Sequence, residues 1–276
     1  MTSRTYPTGD SFTFAYDLMG RLNTMSQNGT QQASASYGPA GELTSTTYFG
    51  YSETRTYNSL LQMTRQTVPG VFDTEYIFPT GANNGQISSS IDHISGQTVN
   101  YTYDSLKRLS AAATVGPQWG QAYAYDGFGN LTSMSVTQGS GVNWANASDP
   151  ATNHLVGVSY DANGNRLPPA NLYANRPYDV ENRLVTEALD GAQPSWTYDP
   201  SGRRVGRLTV SPNSNYWTWT LYFYDIFGHQ SATLSGDQDY PYSSVPQIAT
   251  NVYFGNRLVQ SNGVAVITDR LGSEWR

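Results

Sequence analysis

The stretch Tyr-Asp-Gly-Phe-Gly-Asn-Leu, residues 125–131, decides the fold, because copies of it return along the whole chain. Each clear copy begins with Tyr-Asp, has Gly three residues after the Asp, and continues with Arg or Asn. Such copies lie at 16–22, 160–167 and 198–205, and looser ones begin at Tyr37, Tyr57, Tyr103, Tyr178 and Tyr224. Their spacing of about 20 residues is typical of an array of one repeated supersecondary unit.

The repeated motif predicts a β-hairpin turn. Asp suits the first position of a type I turn, where its carboxylate accepts a hydrogen bond from the backbone N–H two residues on. Gly then takes the left-handed conformation of a three-residue loop with a bulge. Where Lys107 replaces Gly, we expect a strained or altered turn. The predicted structural turn residues are Tyr16, Asp17, Gly20, Tyr125, Asp126, Gly129, Tyr160, Asp161, Gly164, Tyr198, Asp199 and Gly202.

The segments before the turns alternate with the period of two that marks a strand. Between Trp217 and Tyr224, one face carries Trp217, Trp219, Leu221 and Phe223, and the other carries threonines and tyrosines. The pattern predicts an all-β fold, an elongated and curved antiparallel sheet of successive hairpins. We expect one continuous array over residues 1–276, with degenerate repeats in 1–100 and clearer ones in 101–276.

The composition excludes several classes of function. Only 13% of the residues are charged, and the net charge of −6 comes without a run of Lys or Arg, which argues against nucleic acid as a partner. There is no Cys and no motif for a cofactor, so we expect neither a metal nor a cofactor. No apolar run approaches the length of about 18 residues that a membrane-spanning helix needs. The N-terminus lacks a signal-peptide pattern, which leaves the localisation open.

At these repeats the chain resembles the YD-repeat, or RHS-repeat, family of bacterial RHS toxins, shell-forming subunits of insecticidal toxin complexes and extracellular teneurins. Residues 253–258, Tyr-Phe-Gly-Asn-Arg-Leu, are similar to the degenerate repeat that introduces the RHS-associated core. Residues 269–273, Asp-Arg-Leu-Gly-Ser, resemble the Asp-x-Leu-Gly-Ser signature of that core.

The resemblance implies a β-strip that spirals into a hollow shell around a polypeptide passenger, so we expect either part of such a shell or a closed β-structure. The partners would be a passenger or adjoining shell segments, and the parent protein would be exported. The family's self-cleaving aspartates and toxin domain would lie beyond Arg276, so no catalytic residue is carried over. Unpaired sheet edges also predict self-association. The predicted function is that of a scaffold without its own catalysis.

Two other functions remain open from the residues themselves. Aromatic side chains on a neutral, hydroxyl-rich sheet can stack on sugar rings, which predicts a glycan site at Trp217, Trp219, Trp196 and Tyr222. As a third alternative, Asp73 and Glu75 lie on one face of a strand, about 6.6 Å apart by strand rise. Two carboxylates at such a distance could serve a glycoside hydrolase.

Overall fold

The computed structural model describes residues 2–168, 178–187, 193–211, 216–238 and 245–275. Over these residues the chain forms 23 β-strands in three antiparallel sheets and contains no helix. Within the described part, none of the sheets closes on itself, so of the two predicted forms the open one is present. The all-β prediction is confirmed.

In the first sheet the strands lie side by side in the order of the sequence. Its 14 strands are β1 (Ser3–Thr5), β2 (Ser11–Tyr16), β3 (Leu22–Gln27), β4 (Thr30–Tyr37), β5 (Leu43–Tyr48), β6 (Tyr51–Tyr57), β7 (Met63–Val68), β8 (Phe72–Ile77), β9 (Ser89–Asp92), β10 (Thr98–Tyr103), β11 (Leu109–Thr114), β12 (Trp119–Tyr125), β13 (Leu131–Gly139) and β14 (Trp144–Ala145).

The second sheet has the same sequential order, and the third is a short hairpin. The second consists of β15 (Gln193–Tyr198), β16 (Arg204–Val210), β17 (Trp217–Tyr224), β18 (Gln230–Asp237), β19 (Gln247–Phe254), β20 (Arg257–Ser261) and β21 (Val264–Ala265), and the third of β22 (Ile267–Thr268) and β23 (Glu274–Trp275). Between the first two sheets, the described residues include shorter hairpins closed by single bridges, Tyr160 with Arg166 and Tyr178 with Leu184.

The backbone of the repeated turn follows from its Gly. In residues 125–131 the Asp126 N–H donates to the Asn130 carbonyl, and the Gly129 N–H donates back to the Asp126 carbonyl. Gly129 has φ +92°, and the pairing register shifts at Tyr125, which is the bulge that this loop produces. Lys107 occupies the same left-handed conformation with φ 68°, so the turn there keeps its shape despite the side chain.

The chain forms two compact units. Unit 1 comprises Met1–Phe14, Ser26–Thr30 and Gly157–Val266, and unit 2 comprises Ala15–Met25, Gln31–Val156 and Ile267–Arg276. In unit 1 the buried residues include Phe12, Val252 and Val259, and in unit 2 they include Tyr48 and Phe72. The expectation of one continuous array over residues 1–276 stays a prediction.

We expect Gly129→Val to lower the free energy of unfolding by more than about 1 kcal/mol, because a β-branched residue is strained at this positive φ. A Cβ atom on Gly129 would meet no atom within contact distance, so backbone strain is the cost that the variant isolates. The matched control is Gly127→Val, because Gly127 is equally open and its φ is not positive. Urea denaturation measures both variants, and equal midpoints would contradict the assigned turn.

Candidate functional site: the repeated tyrosine–aspartate turn

The carboxylate of each repeat aspartate is the centre of its turn. In the repeat at Asp104, Oδ1 accepts hydrogen bonds from the backbone N–H groups of Leu106 and Arg108, each at 2.9 Å. Oδ2 accepts from the Arg108 guanidinium Nε at 2.7 Å. One side chain therefore satisfies two backbone donors and one cation, and the same Oδ1 pattern recurs at Asp17, Asp126, Asp161, Asp179, Asp199 and Asp225.

These bonds favour the charged form of the aspartates. The backbone N–H of Arg108 is the largest influence that lowers the pKa of Asp104, and the Arg108 side chain adds to it. At Asp126 the side-chain amide of Asn130 lowers the pKa in the place of an arginine. The repeat aspartates are thus hydrogen-bonded anions, and their lowered pKa differs from the raised pKa that a general acid needs near neutral pH.

Seven of the repeats are also linked to the segment before them through their tyrosine. The Tyr125 hydroxyl donates to the Leu109 carbonyl of the preceding hairpin at 2.9 Å, and the Arg108 guanidinium lies 4.5 Å from the centre of the Tyr125 ring. The Arg108 guanidinium therefore contacts both the Asp104 carboxylate of its own turn and the Tyr125 ring of the next repeat. Equivalent hydroxyl bonds join Tyr37 to Leu22, Tyr57 to Leu43, Tyr103 to Ile87, Tyr178 to Arg166, Tyr198 to Leu184 and Tyr224 to Arg204.

Two departures from the motif keep the geometry by other means. Asn58 replaces the Asp, and its Oδ1 accepts from the N–H groups of Leu60 and Gln62, while its amide donates to the Gln62 side chain. The turn can therefore be built without charge. At Gly38, which lacks a side chain, the Glu42 carboxylate fills the space that an Asp would take.

The Asp-x-Leu-Gly-Ser segment is a further copy of the turn. Asp269 Oδ1 accepts from the N–H groups of Leu271 and Ser273, and the Gly272 N–H donates to the Asp269 carbonyl. This segment resembles a separate signature of the RHS-associated core, although its Asp-x-x-Gly spacing is that of the repeats. Thr268 stands where the repeats have tyrosine.

In unit 2 this last turn lies beside β7–β10. The Gln66 side chain donates to the Thr268 carbonyl at 2.8 Å, and Arg270 lies 4.9 Å from the centre of the Tyr76 ring. Burial raises the pKa of Tyr76 to about 12. The turn and the strands border a partly open cavity of about 290 Å³, lined among others by Thr74, Ser90, Asp92 and Tyr101.

The repeat at Asp225 takes its arginine from a distant strand. His229 occupies the position of Arg108, and its Nδ1 lies 3.0 Å from Asp225 Oδ2. Arg4 of β1 also contacts Asp225 Oδ2, with its NH2 at 3.0 Å. The Asp225 side chain is 4% exposed, so this ion pair within unit 1 is largely shielded from water.

The structure gives the two predicted carboxylates separate partners. Asp73 receives both Arg65 Nε at 2.7 Å and Arg65 NH2 at 2.8 Å, and Glu75 lies 2.8 Å from His93 Nε2. The hydrogen bond from Arg65 is the main cause that lowers the pKa of Asp73. Catalysis by Asp73 and Glu75 stays a prediction.

The predicted glycan residues fall on two faces of the second sheet. Trp219 lies opposite Leu208 on one face. Trp196 lies opposite Arg207, and Arg207 lies opposite Thr220, so these three residues share the other face with Tyr222. Trp217 and Trp219 are thus separated by the sheet from Trp196 and Tyr222. Tyr222 lines a shallow cavity of about 370 Å³ with Tyr198, Arg204 and Tyr224. Glycan binding stays a prediction, now at two distinct surfaces.

The described residues contain no cluster of three or more His, Cys, Asp or Glu side chains that could hold a metal ion. In the same residues, no helix is long and apolar enough to cross a bilayer.

The geometry defines an array of tyrosine–aspartate hairpins, and the chain shares this fold with solved toxin structures. It matches a chain of the Photorhabdus luminescens Tc holotoxin pore with a TM-score of 0.73 and 17% identity, over 99% of this chain and 16% of that chain. It matches the TcdB2-TccC3-TEV structure with a TM-score of 0.76 and 18% identity, over 99% of this chain and 15% of that chain.

These neighbours have the RHS-repeat shell fold, so the predicted resemblance is confirmed at the level of the fold. No family model matches the chain. A Bacillus spizizenii protein named tRNA3(Ser)-specific nuclease WapA is 32% identical over 111 residues, which cover 37% of this chain and 4% of that protein. The chain therefore spans a small part of each of these relatives.

We expect Tyr125→Phe to lower the free energy of unfolding by about 1 kcal/mol, because it leaves the Leu109 carbonyl without the hydroxyl that links two repeats. The matched control is Tyr123→Phe, which loses a bond to the Gln121 side chain of the same strand. Urea denaturation compares them. A cost for Tyr123→Phe as large as that for Tyr125→Phe would argue against a special role for the link between repeats.

Acid should destabilise the fold through the repeat aspartates. Their folded pKa values are lowered, so their contribution is complete above the unfolded value of about 3.9 and is lost as the pH falls through the folded values. We expect a constant urea midpoint from pH 7 to about 5 and a fall below about pH 4. Asp104→Asn should reduce this fall, because Asn58 makes the same turn bonds without charge. A midpoint independent of pH would contradict the assignment.

Proposed function

We propose that the chain is a structural section of an encapsulating shell that acts through its geometry and catalyses no reaction. The observation that carries this proposal is the match over 99% of the chain to toxin structures with the RHS-repeat shell fold. The roles of the repeat residues support it. Their aspartates accept the hydrogen bonds of the turns, and their tyrosines join neighbouring hairpins.

The proposed partners are a non-native polypeptide passenger and adjoining shell segments. Only 13% of the residues are charged, so a guest chain would meet mainly hydroxyl, amide and aromatic groups. The first sheet ends at β1 and at the two-residue strand β14, and strands at sheet edges offer unpaired backbone groups. We propose that neighbouring shell segments, or other copies of the chain, pair with these edges.

A labelled unfolded protein tests the passenger proposal. Fluorescence anisotropy of reduced, carboxymethylated α-lactalbumin should rise on titration with the chain, whereas native α-lactalbumin should give no change. The unfolded protein exposes backbone and apolar groups that the native one buries, so the pair isolates recognition of a non-native chain. Equal signals from both forms, or from neither, would contradict a role in holding a passenger.

The two alternative functions have their own readouts. Turnover of chromogenic glycosides that is lost in both Asp73→Asn and Glu75→Gln would replace the scaffold proposal with a hydrolase. Retardation in a glycan affinity gel would favour sugar binding, and the two aromatic surfaces can be told apart. Loss on Trp217→Ala would place the sugar on one face of the sheet, and loss on Trp196→Ala on the other.

A further inference from the structure

The partly open cavity of unit 2 lies between the first sheet and the last turn. The sheet contributes one face of three neighbouring strands, because Tyr76 of β8 pairs with Ser90 of β9, and Ser90 pairs with Val99 of β10. The last turn contributes residues 269–271. The volume of about 290 Å³ is near the lower end of the roughly 300–1,000 Å³ that small-molecule sites occupy, so the cavity suits a small ligand. We call it the turn cavity.

The Tyr76 side chain supplies an unused hydrogen-bond donor to the turn cavity. Tyr76 lines the cavity and is only 7% exposed, and its hydroxyl has no hydrogen-bond partner in the part of the chain that the structure describes. Burial raises the pKa of Tyr76 to about 12, so the hydroxyl keeps its proton at neutral pH. The Tyr101 hydroxyl of the same cavity is instead bonded to Ser90 Oγ at 2.9 Å. Because buried polar groups normally have a partner, the Tyr76 hydroxyl indicates a place for an acceptor of the ligand.

Arg270 is a second unused donor in the turn cavity. Its guanidinium lies 4.9 Å from the centre of the Tyr76 ring, and this cation–π contact holds it beside the hydroxyl-bearing side chain. Arginines of the repeats follow their Asp by four residues and pair with it, as Arg108 does with Asp104. Arg270 follows Asp269 directly and forms no ion pair within the described residues. A free guanidinium fits the two oxygens of a carboxylate, so this side of the cavity favours an anionic group.

Two carboxylates on the same lining favour a cationic group elsewhere in the ligand. Ser273 stands where the turns that begin with Tyr-Asp have Arg, Asn or His, so Asp269 Oδ2 has no hydrogen-bond partner among the described residues. Burial acts to raise the pKa of Asp92, but the Ser95 hydroxyl and the Ile94 backbone N–H outweigh it and lower that pKa, so Asp92 is an anion. Two aspartates against one arginine give the lining an excess of negative charge, which disfavours a ligand with a carboxylate alone.

We propose that the turn cavity binds a free amino acid in its zwitterionic form. Arg270 and the Tyr76 hydroxyl bind the carboxylate of the ligand, and Asp92 and Asp269 bind its ammonium group. The ligand side chain packs against Phe72 and the other apolar residues of the lining. The end of a peptide carries only one of the two charges, so the free amino acid matches this lining better. The site is independent of the proposed shell function.

Isothermal titration calorimetry with L-leucine, L-phenylalanine and L-lysine tests this inference. We expect saturable binding with one site per chain for at least one of the three. For the amino acid that binds, the N-acetyl derivative lacks the ammonium group and the amide lacks the carboxylate. Each derivative should bind at least about 10-fold more weakly, because it leaves charged groups of the cavity without a partner.

Two variants assign the binding to the turn cavity. Tyr76→Phe removes only the unused hydroxyl, and Arg270→Gln removes only the charge, so each should weaken binding by at least about 10-fold. The matched controls are Tyr57→Phe, which loses a hydroxyl bonded to the Leu43 carbonyl, and Arg21→Gln, whose arginine also lies over a tyrosine ring but outside the cavity. Both controls should bind as the wild type does.

Circular dichroism reports the fold of each variant, and Arg270→Gln changes an exposed side chain, so it keeps the test valid if Tyr76→Phe unfolds. Absence of binding by all three amino acids at millimolar concentration would overturn the inference. So would an N-acetyl derivative or an amide that binds as tightly as the free amino acid. Binding that both Tyr76→Phe and Arg270→Gln leave unchanged would place the ligand outside the turn cavity and would overturn it as well.

Discussion

The hydrogen bonds that each repeat aspartate accepts hold the hairpins of this chain in shape. A reversal of direction leaves backbone N–H groups without strand partners, and in each copy that has an Asp the carboxylate satisfies two of them. Where an arginine stands four residues on, the negative charge of the carboxylate attracts it, and Arg21, Arg108, Arg183 and Arg203 in turn lie over the tyrosine of the next repeat. One local interaction thus specifies both the turn and its link to the following repeat.

The local part of this arrangement could be predicted from the sequence, because a turn depends on residues that are close together. The β-strands follow from the period of two in the sequence. The left-handed Gly129 and the turn built on the Asp follow from the spacing of the repeated motif. The hydroxyl bond from Tyr125 to Leu109 could not be predicted in this way, because it depends on which carbonyl the pairing of β11 and β12 brings beneath the ring. The turn at Asp269 could have been predicted, because it keeps the Asp-x-x-Gly spacing of the repeats. It lacks the tyrosine that identified the other copies.

The predicted glycan residues illustrate a second limit. Alternation placed Trp217 and Trp219 together on one face of a strand. Whether Trp196 joins them depends on the bulge between Thr197 and Tyr198, which sets how β15 pairs with β16. A shift of one residue exchanges the two faces, and only the structure decides it. The solvent exposure of the two faces could not be predicted either, because alternation along a strand does not show which face is exposed to water.

The hydroxyl bond of each tyrosine to the preceding hairpin has a consequence for how such chains can vary. In seven copies the tyrosine joins its hairpin to the segment that precedes it, so stability builds up step by step along the chain. Duplication or loss of a whole hairpin leaves the remaining joints with the same partners. Chains of this architecture can therefore gain or lose length in units of one hairpin, while the interactions within each remaining hairpin stay the same.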